Sequence, residues 1–234
     1  MKQIIALLTV TWACVSFSAE GPKEVHWGLE KAYVPVGYDD NDRIQVTVQG
    51  RFDSTCLKVG AYRLEVDQKM KQLKVDQLAY RYQGICLQMQ VPFSQTLDVG
   101  LLDSGDWSIV DANNNQTIGH LSVGIAKNPG PDDFLYAPVS DAYIRSDAAG
   151  KKELCLTGNF SDRCTTLKKV EINYSKDVIV VQPIAEHDSA QRDCGTAPVR
   201  FSHCEALPDG IVGFMLLHVR SMNGQAINKI VDLP

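Results

Sequence analysis

Nowhere in this chain does a helical period run for ten or more residues with caps at its ends, which excludes an α-helical or alternating α/β architecture. There is no Gly-x-Ser-x-Gly elbow, no His-Glu-x-x-His pair and no Gly-x-x-x-x-Gly-Lys-Ser/Thr loop. The local signatures of serine hydrolases, zinc peptidases and phosphate-binding enzymes are therefore missing, and any catalytic site would have to be assembled from distant loops. No Cys-x-x-Cys spacing occurs. The five histidines, His26, His120, His187, His203 and His218, are scattered without the spacing of a ligand pair. Glu186, His187, His203 and Cys204 come nearest to a metal set, and solvated strand and loop residues are the plainer reading of them. Positive charge is not in excess: the formal net charge is -5, with both signs interspersed, so nothing electrostatic draws the chain to nucleic acid or to an anionic membrane.

What is present begins with the first residues. Met1-Lys2 is followed by an apolar run from Ile4 to Val15 and by the small residues Ser16, Ser18 and Ala19, the layout of a secretory signal peptide over 1–19. The mature chain is expected to begin at Ala19 or Glu20. Cys14 does not read as a lipid-attachment site, because Trp12 stands where such motifs want a small residue. The run is also too short to stay as a span, which needs about 20 residues, and no other run is longer. The product is expected in the periplasm or outside the cell, with no stable membrane insertion.

The remaining chain writes one pattern twice. "VQGRFDSTC" (Val48 to Cys56) is answered by "LTGNFSDRC" (Leu156 to Cys164), and "VPFS" from Val91 by "VRFS" from Val199, each 108 residues on. Cys56 and Cys86 are answered by Cys164 and Cys194 at the same step. "YVPV" from Tyr33 is matched to "YAPV" from Tyr136, and "LDSG" from Leu102 to "LPDG" from Leu207. A period near 100 residues is that of a domain and not of a solenoid unit. The expected organisation is one repeat over 20–126, a Pro- and Gly-rich linker over 127–133, and a second repeat over 134–234.

Strand signals fill both repeats. Ile44, Val46 and Val48 alternate with polar residues, as do Tyr62, Leu64 and Val66, and Leu87, Met89 and Val91, which predicts one buried and one wet face for each strand. "DVIVVQPI" and "IVGFMLLHV" are apolar throughout and are expected to be covered on both sides, one of them at a contact between the repeats. Turn residues every 8 to 12 positions point to antiparallel sandwiches of about seven strands each. "LDSGDWSIV", with Leu102, Gly105, Trp107 and Ile109, resembles the Leu-x-x-Gly-x-aromatic turn and strand near the end of many bacterial extracellular immunoglobulin-like domains. The resemblance covers some ten residues and implies the fold class: all-β, two tandem immunoglobulin-like antiparallel β-sandwiches, stapled by disulfides after a cleaved signal peptide.

Export and an even number of cysteines in the mature chain predict disulfides. Cys56 with Cys86 and Cys164 with Cys194 follow from the repeat, each closing a loop worth roughly 3 to 4 kcal/mol on the chain-entropy model. Cys155 and Cys204 stand where the first repeat has Thr47 and Thr96. Alternation turns both off the core face and suggests a third bridge between neighbouring strands. A reactive thiol or a metal thiolate is the alternative.

The binding candidates are Trp27 and Tyr33 ahead of the first alternating strand, and Tyr80, Arg81 and Tyr82 in the loop before Cys86. Asp39, Asp40 and Asp42, with Asn41, supply carboxylate and amide oxygens of the kind a hard cation wants, without the spacing or glycine of a calcium loop. No cofactor is expected. These features point to an exported, non-catalytic protein that recognises a protein or glycan through β-sandwich surfaces. Two alternatives are an accessory or structural factor of envelope or appendage assembly, and a hydrolase with a polar cleft between the repeats.

Overall fold

The structure, a computed structural model, describes residues 21–130, 132–146, 148–191 and 193–234. The expected signal peptide lies outside the described residues. Those residues form strands and turns and contain no helix. In the first half the strands are β1 (Lys23–Trp27), β2 (Lys31–Tyr33), β3 (Tyr38–Asp39), β4 (Ile44–Ser54), β5 (Leu57–Asp67), β6 (Gln72–Arg81), β7 (Gln88–Gly100), β8 (Gly105–Asp111) and β9 (Thr117–Gly124). In the second they are β10 (Val139–Ser146), β11 (Lys152–Phe160), β12 (Thr165–Ser175), β13 (Val178–His187), β14 (Val199–Ala206), β15 (Gly213–Ser221) and β16 (Gln225–Leu233).

Each half has two sheets. In the first, β2-β4-β7 accompanies β1-β6-β8-β9-β3, with β5 beside β6; in the second, β10-β11-β14 accompanies β12-β13-β15-β16. One buried cluster joins Val46, Val48, Phe93 and Leu97 of one sheet to Leu73, Val75, Trp107 and Ile109 of the other. A second cluster joins Leu154 and Leu156 to Ile179, Val181, Leu217 and Val219. Two sheets with alternating inward side chains and a shared core are compatible with a β-sandwich in each half. The strand order repeats as well: β2-β4-β7 corresponds to β10-β11-β14, and β5-β6-β8-β9 to β12-β13-β15-β16.

Three sequence expectations are corrected here. The sheets are not wholly antiparallel, because β6 pairs with β8 and β13 with β15 in parallel. The chain leaves β6, runs through the other sheet as β7 and re-enters beside β6 from the same end, and such a crossover produces a parallel pair. The first half also exceeds about seven strands, since β1 and β3 have no counterpart strand in the second. Finally, Tyr33 does not correspond to Tyr136. Tyr33 lies opposite Thr47, and the residue opposite Cys155 is Tyr143, so strand pairing and not the shared tetrapeptide sets the equivalence.

The repeated "GxF" phrase has a packing cause. Gly50 and Gly158 sit inside β4 and β11, not in turns, opposite Phe93 and Phe201. A Cβ on Gly50 would stand 2.7 Å from the Phe93 ring, and one on Gly158 would stand 2.6 Å from the Phe201 ring and overlap the Pro138 carbonyl. Phe52 stacks on Phe93 with centroids 4.3 Å apart, and Phe160 meets Phe201 at 4.8 Å. Glycine is the residue that lets the facing ring lie flat on the strand.

Disulfides join Cys56 to Cys86, Cys164 to Cys194 and Cys155 to Cys204. Three such bridges suggest an oxidising, exported environment. Cys155 is nevertheless fully buried, not turned to solvent. It lies on the middle strand of its sheet, flanked by Tyr143 on one side and Cys204 on the other, which covers it.

Candidate binding surfaces

The contact between the halves contains the most perturbed titratable groups. Tyr33 projects from β2 into a cluster with Val178, Val180 and Leu216, so β13 from Val178 and β15 from Met215 are covered on both faces, whereas Val212 and Phe214, expected to be covered with them, are exposed. Beside it the His218 Nδ1 lies 2.7 Å from the Asn228 side-chain oxygen, and its Nε2 lies 3.5 Å from the Tyr38 hydroxyl. Burial pushes His218 down to about 4 and the Tyr38 phenol well above its ordinary value. Arg220 donates to the Gly37 carbonyl, approaches the Asp42 carboxylate at 3.8 Å and lies over the Tyr38 ring. Burial raises the Asp42 carboxyl, against the pull of the Asp39 N–H and of Arg220.

Such a cluster could serve catalysis if substrate could reach it. The cavity it encloses is about 20 Å³, space for one water, and the described neighbours of His218 are an amide and a phenol rather than an activated nucleophile. Its chemistry is that of a clasp. The polar loop expected to offer oxygens to a cation belongs to the same clasp. Asp42 accepts from the Asp39 N–H, Asp40 accepts from the Ala126 N–H, and Asn41 donates to the Asn128 and Gly130 carbonyls. Their side chains diverge toward separate backbone partners and tie the connecting segment to the first half. The two groups of metal-ligand type among the described residues, Glu153 with Cys155 and Cys204 and Asp162 with Cys164 and Cys194, have their sulfurs committed to disulfides.

The five aromatic and basic candidates do not form one patch. Tyr33 is buried between the halves, and Trp27 is held on the first half by an Nε1–H bond to the Arg51 carbonyl and edge contact with Phe52. Tyr80 is half-buried, whereas Arg81 and Tyr82 are exposed. Beside them Ile85 is fully exposed, and Leu87 and Met89, which alternation had assigned to the core, are 64% and 51% exposed. The cause lies in the ladder: Ser54 pairs with Gln88 but Phe52 with Val91, so one extra residue on β7 takes Met89 off the core face, and the largely exposed connection 82–87 ahead of the strand forms an overhang. The Cys56–Cys86 bridge and the Tyr82 N–H bond to the Cys56 carbonyl fix this overhang. Ile85 carried no signal in the sequence, since it lies between strands; the disulfide loop around it was the available clue.

The second half carries a different feature at the corresponding end. A half-open groove of about 410 Å³ runs between Leu135, Pro138, Phe160, Pro198 and Met222, with Asn159, Ser161, Thr165 and His187 among its polar members. Leu135 and Met222 are partly exposed on its rim. The volume is within the range of ligand sites, and apolar walls with a few polar groups are their usual composition. Sequence reading missed it because its residues come from five separate segments.

No protein-family model matches the chain, and neither a curated protein nor a solved structure matches it.

Proposed function

We propose that the chain is an exported, non-catalytic binding protein of two tandem immunoglobulin-like domains, and that it recognises a partner protein through the overhang at the Cys56–Cys86 bridge. The observation that carries this reading is the exposure of Ile85, Leu87, Met89 and Tyr82 together on one disulfide-fixed element. Clustered apolar side chains held in water mark interaction sites. Burying one of them against a partner contributes roughly 1.5–3 kcal/mol, and a rigid loop loses little entropy in doing so. Arg81 and Tyr82 at the edge are residue types that interfaces favour. The apolar character of the overhang favours a protein over a glycan. The disulfides and the signal-peptide pattern support export.

The test is capture from the exported fraction with immobilised mature protein and with its Ile85→Asp and Leu87→Asp variants. The proposal expects a partner retained reproducibly by the unsubstituted chain and lost by either variant at unchanged thermal stability. Equal retention by the variants, or no retained protein, contradicts it.

A further inference from the structure

The polar end of the second-half groove is built differently from the same corner of the first half. Thr165 follows Cys164 and stands opposite His187, as Leu57 follows Cys56 and stands opposite Arg81. Asp162 and Ser54 share one task, accepting the N–H of the cysteine two residues on, at 2.9 and 3.2 Å. There the likeness stops. Leu57 is buried in the first-half core, whereas Thr165 is half-buried and lines the groove with Asn159, Ser161 and His187. The fold accepts leucine at this position, so the polar group is an addition peculiar to the second half.

Hydrogen bonds fix where its protons lie. The Ser161 hydroxyl donates to Asp162 Oδ2 and the Thr165 hydroxyl to Asp162 Oδ1, each at 3.0 Å. These two bonds hold the Asp162 carboxyl below its ordinary value, and as a carboxylate it only accepts. With its proton given to Asp162, Thr165 can only accept from His187 Nδ1, 3.0 Å away. The neutral ring therefore carries its proton on Nδ1 and keeps a lone pair on Nε2, which has no partner among the described residues. Ser161 Oγ likewise keeps only lone pairs. Of the polar side chains here, Asn159 alone can donate.

We propose that this groove is a binding site for a small aromatic molecule of the phenol class, whose hydroxyl donates to His187 Nε2. The ring lies among Leu135, Pro138, Pro198 and Met222, the apolar walls that solvent reaches. The Met222 thioether is a favourable neighbour for an aromatic ring. Phe160 and the segment 135–137 stay as they are, since the ligand uses the open volume of about 410 Å³, which is within the range of small-molecule sites. A methyl ether fits the same walls without the hydrogen bond, and a carboxylate meets acceptors that offer it no proton. This inference does not rest on the Ile85 overhang, and the two fail independently.

The probes are 2-naphthol, 2-methoxynaphthalene and 2-naphthoate, titrated at mildly alkaline pH into the mature chain labelled on its methionine methyl groups and followed by NMR. We expect the Met222 methyl to shift saturably with 2-naphthol, while Met70 and Met89, exposed on the first half, do not move. The ether should bind about fivefold more weakly and the carboxylate at least about tenfold more weakly. His187→Phe should erase the preference for naphthol over its ether. Thr165→Val, which frees the ring to place its proton on either nitrogen, should reduce that preference, with near-ultraviolet circular dichroism native in both variants. Ile85→Asp should leave binding unchanged. An unmoved Met222, equal affinity for naphthol and its ether, or a preference that survives His187→Phe in the folded protein overturns the proposal.

Discussion

Thr47 and Thr96 face each other across β4 and β7 with their hydroxyl oxygens 3.0 Å apart. At the corresponding position of β11 and β14 stand Cys155 and Cys204, directly paired and covalently joined. One cross-strand pair is thus closed by a hydrogen bond in one half and by a disulfide in the other. The surroundings differ in the same sense. Tyr33, opposite Thr47, is covered by the second half, whereas Tyr143, opposite Cys155, is 42% exposed. The bridge reinforces the sheet that has no partner half laid over this position.

The double substitution Cys155→Thr with Cys204→Thr should therefore keep the fold and lose stability. A closed loop of this length is worth up to about 4 kcal/mol on the chain-entropy model, and the restored hydroxyl pair offsets about 1 kcal/mol. Urea unfolding should show a lower midpoint with the other two bridges intact by thiol titration.

Gly50→Ala and Gly158→Ala should each destabilise by about 1–3 kcal/mol, because the added methyl must displace a facing phenylalanine ring or a carbonyl. Gly158→Ala should be the worse, since its Cβ would overlap the Pro138 carbonyl oxygen, whereas a Cβ at Gly50 would stand 2.9 Å from the Gly28 carbonyl oxygen. Thermal unfolding of the two variants side by side checks the order.

Arg220→Ala should cost about 3–5 kcal/mol, because it leaves the Asp42 carboxylate buried with its cation removed. Adding Asp42→Asn should recover part of that loss. A double-mutant cycle by urea unfolding measures the coupling; additive losses would contradict the contact.

His218 predicts an acid-sensitive contact between the halves. Its folded value, about 4, lies below the unfolded 6.5. As pH falls through that window the unfolded chain binds a proton that the folded chain refuses, so stability is lost going down and is fully present above about 6.5. A shift of this size corresponds to about 3 kcal/mol. Asp42, raised by burial, acts in the opposite direction as the folded chain takes up its proton earlier. The comparison of wild type with His218→Gln isolates the histidine: the variant should show a flatter pH profile between 6.5 and 4.

Much of this was legible in the sequence where one periodicity governs. The equal 30-residue spacings of Cys56–Cys86 and Cys164–Cys194 gave two bridges, and the alternation of Ile44, Val46 and Val48 gave a core face of β4. What escaped depends on partners distant in the chain. The β6–β8 parallel pair follows from a crossover through another sheet, and the exposure of Met89 follows from the extra residue that β7 carries against β4, which alternation along β7 alone does not show. The aromatic candidates were separated for the same reason: Tyr33 and Tyr82 differ in which sheet lies over them, not in their local pattern.

The central claim is that a partner protein docks on the overhang at the Cys56–Cys86 bridge, and hydrogen exchange of the chain alone and with its captured partner tests it most directly. The account predicts slowed exchange over 80–91 in the complex. Unchanged exchange there, with protection confined to other strands, would contradict it.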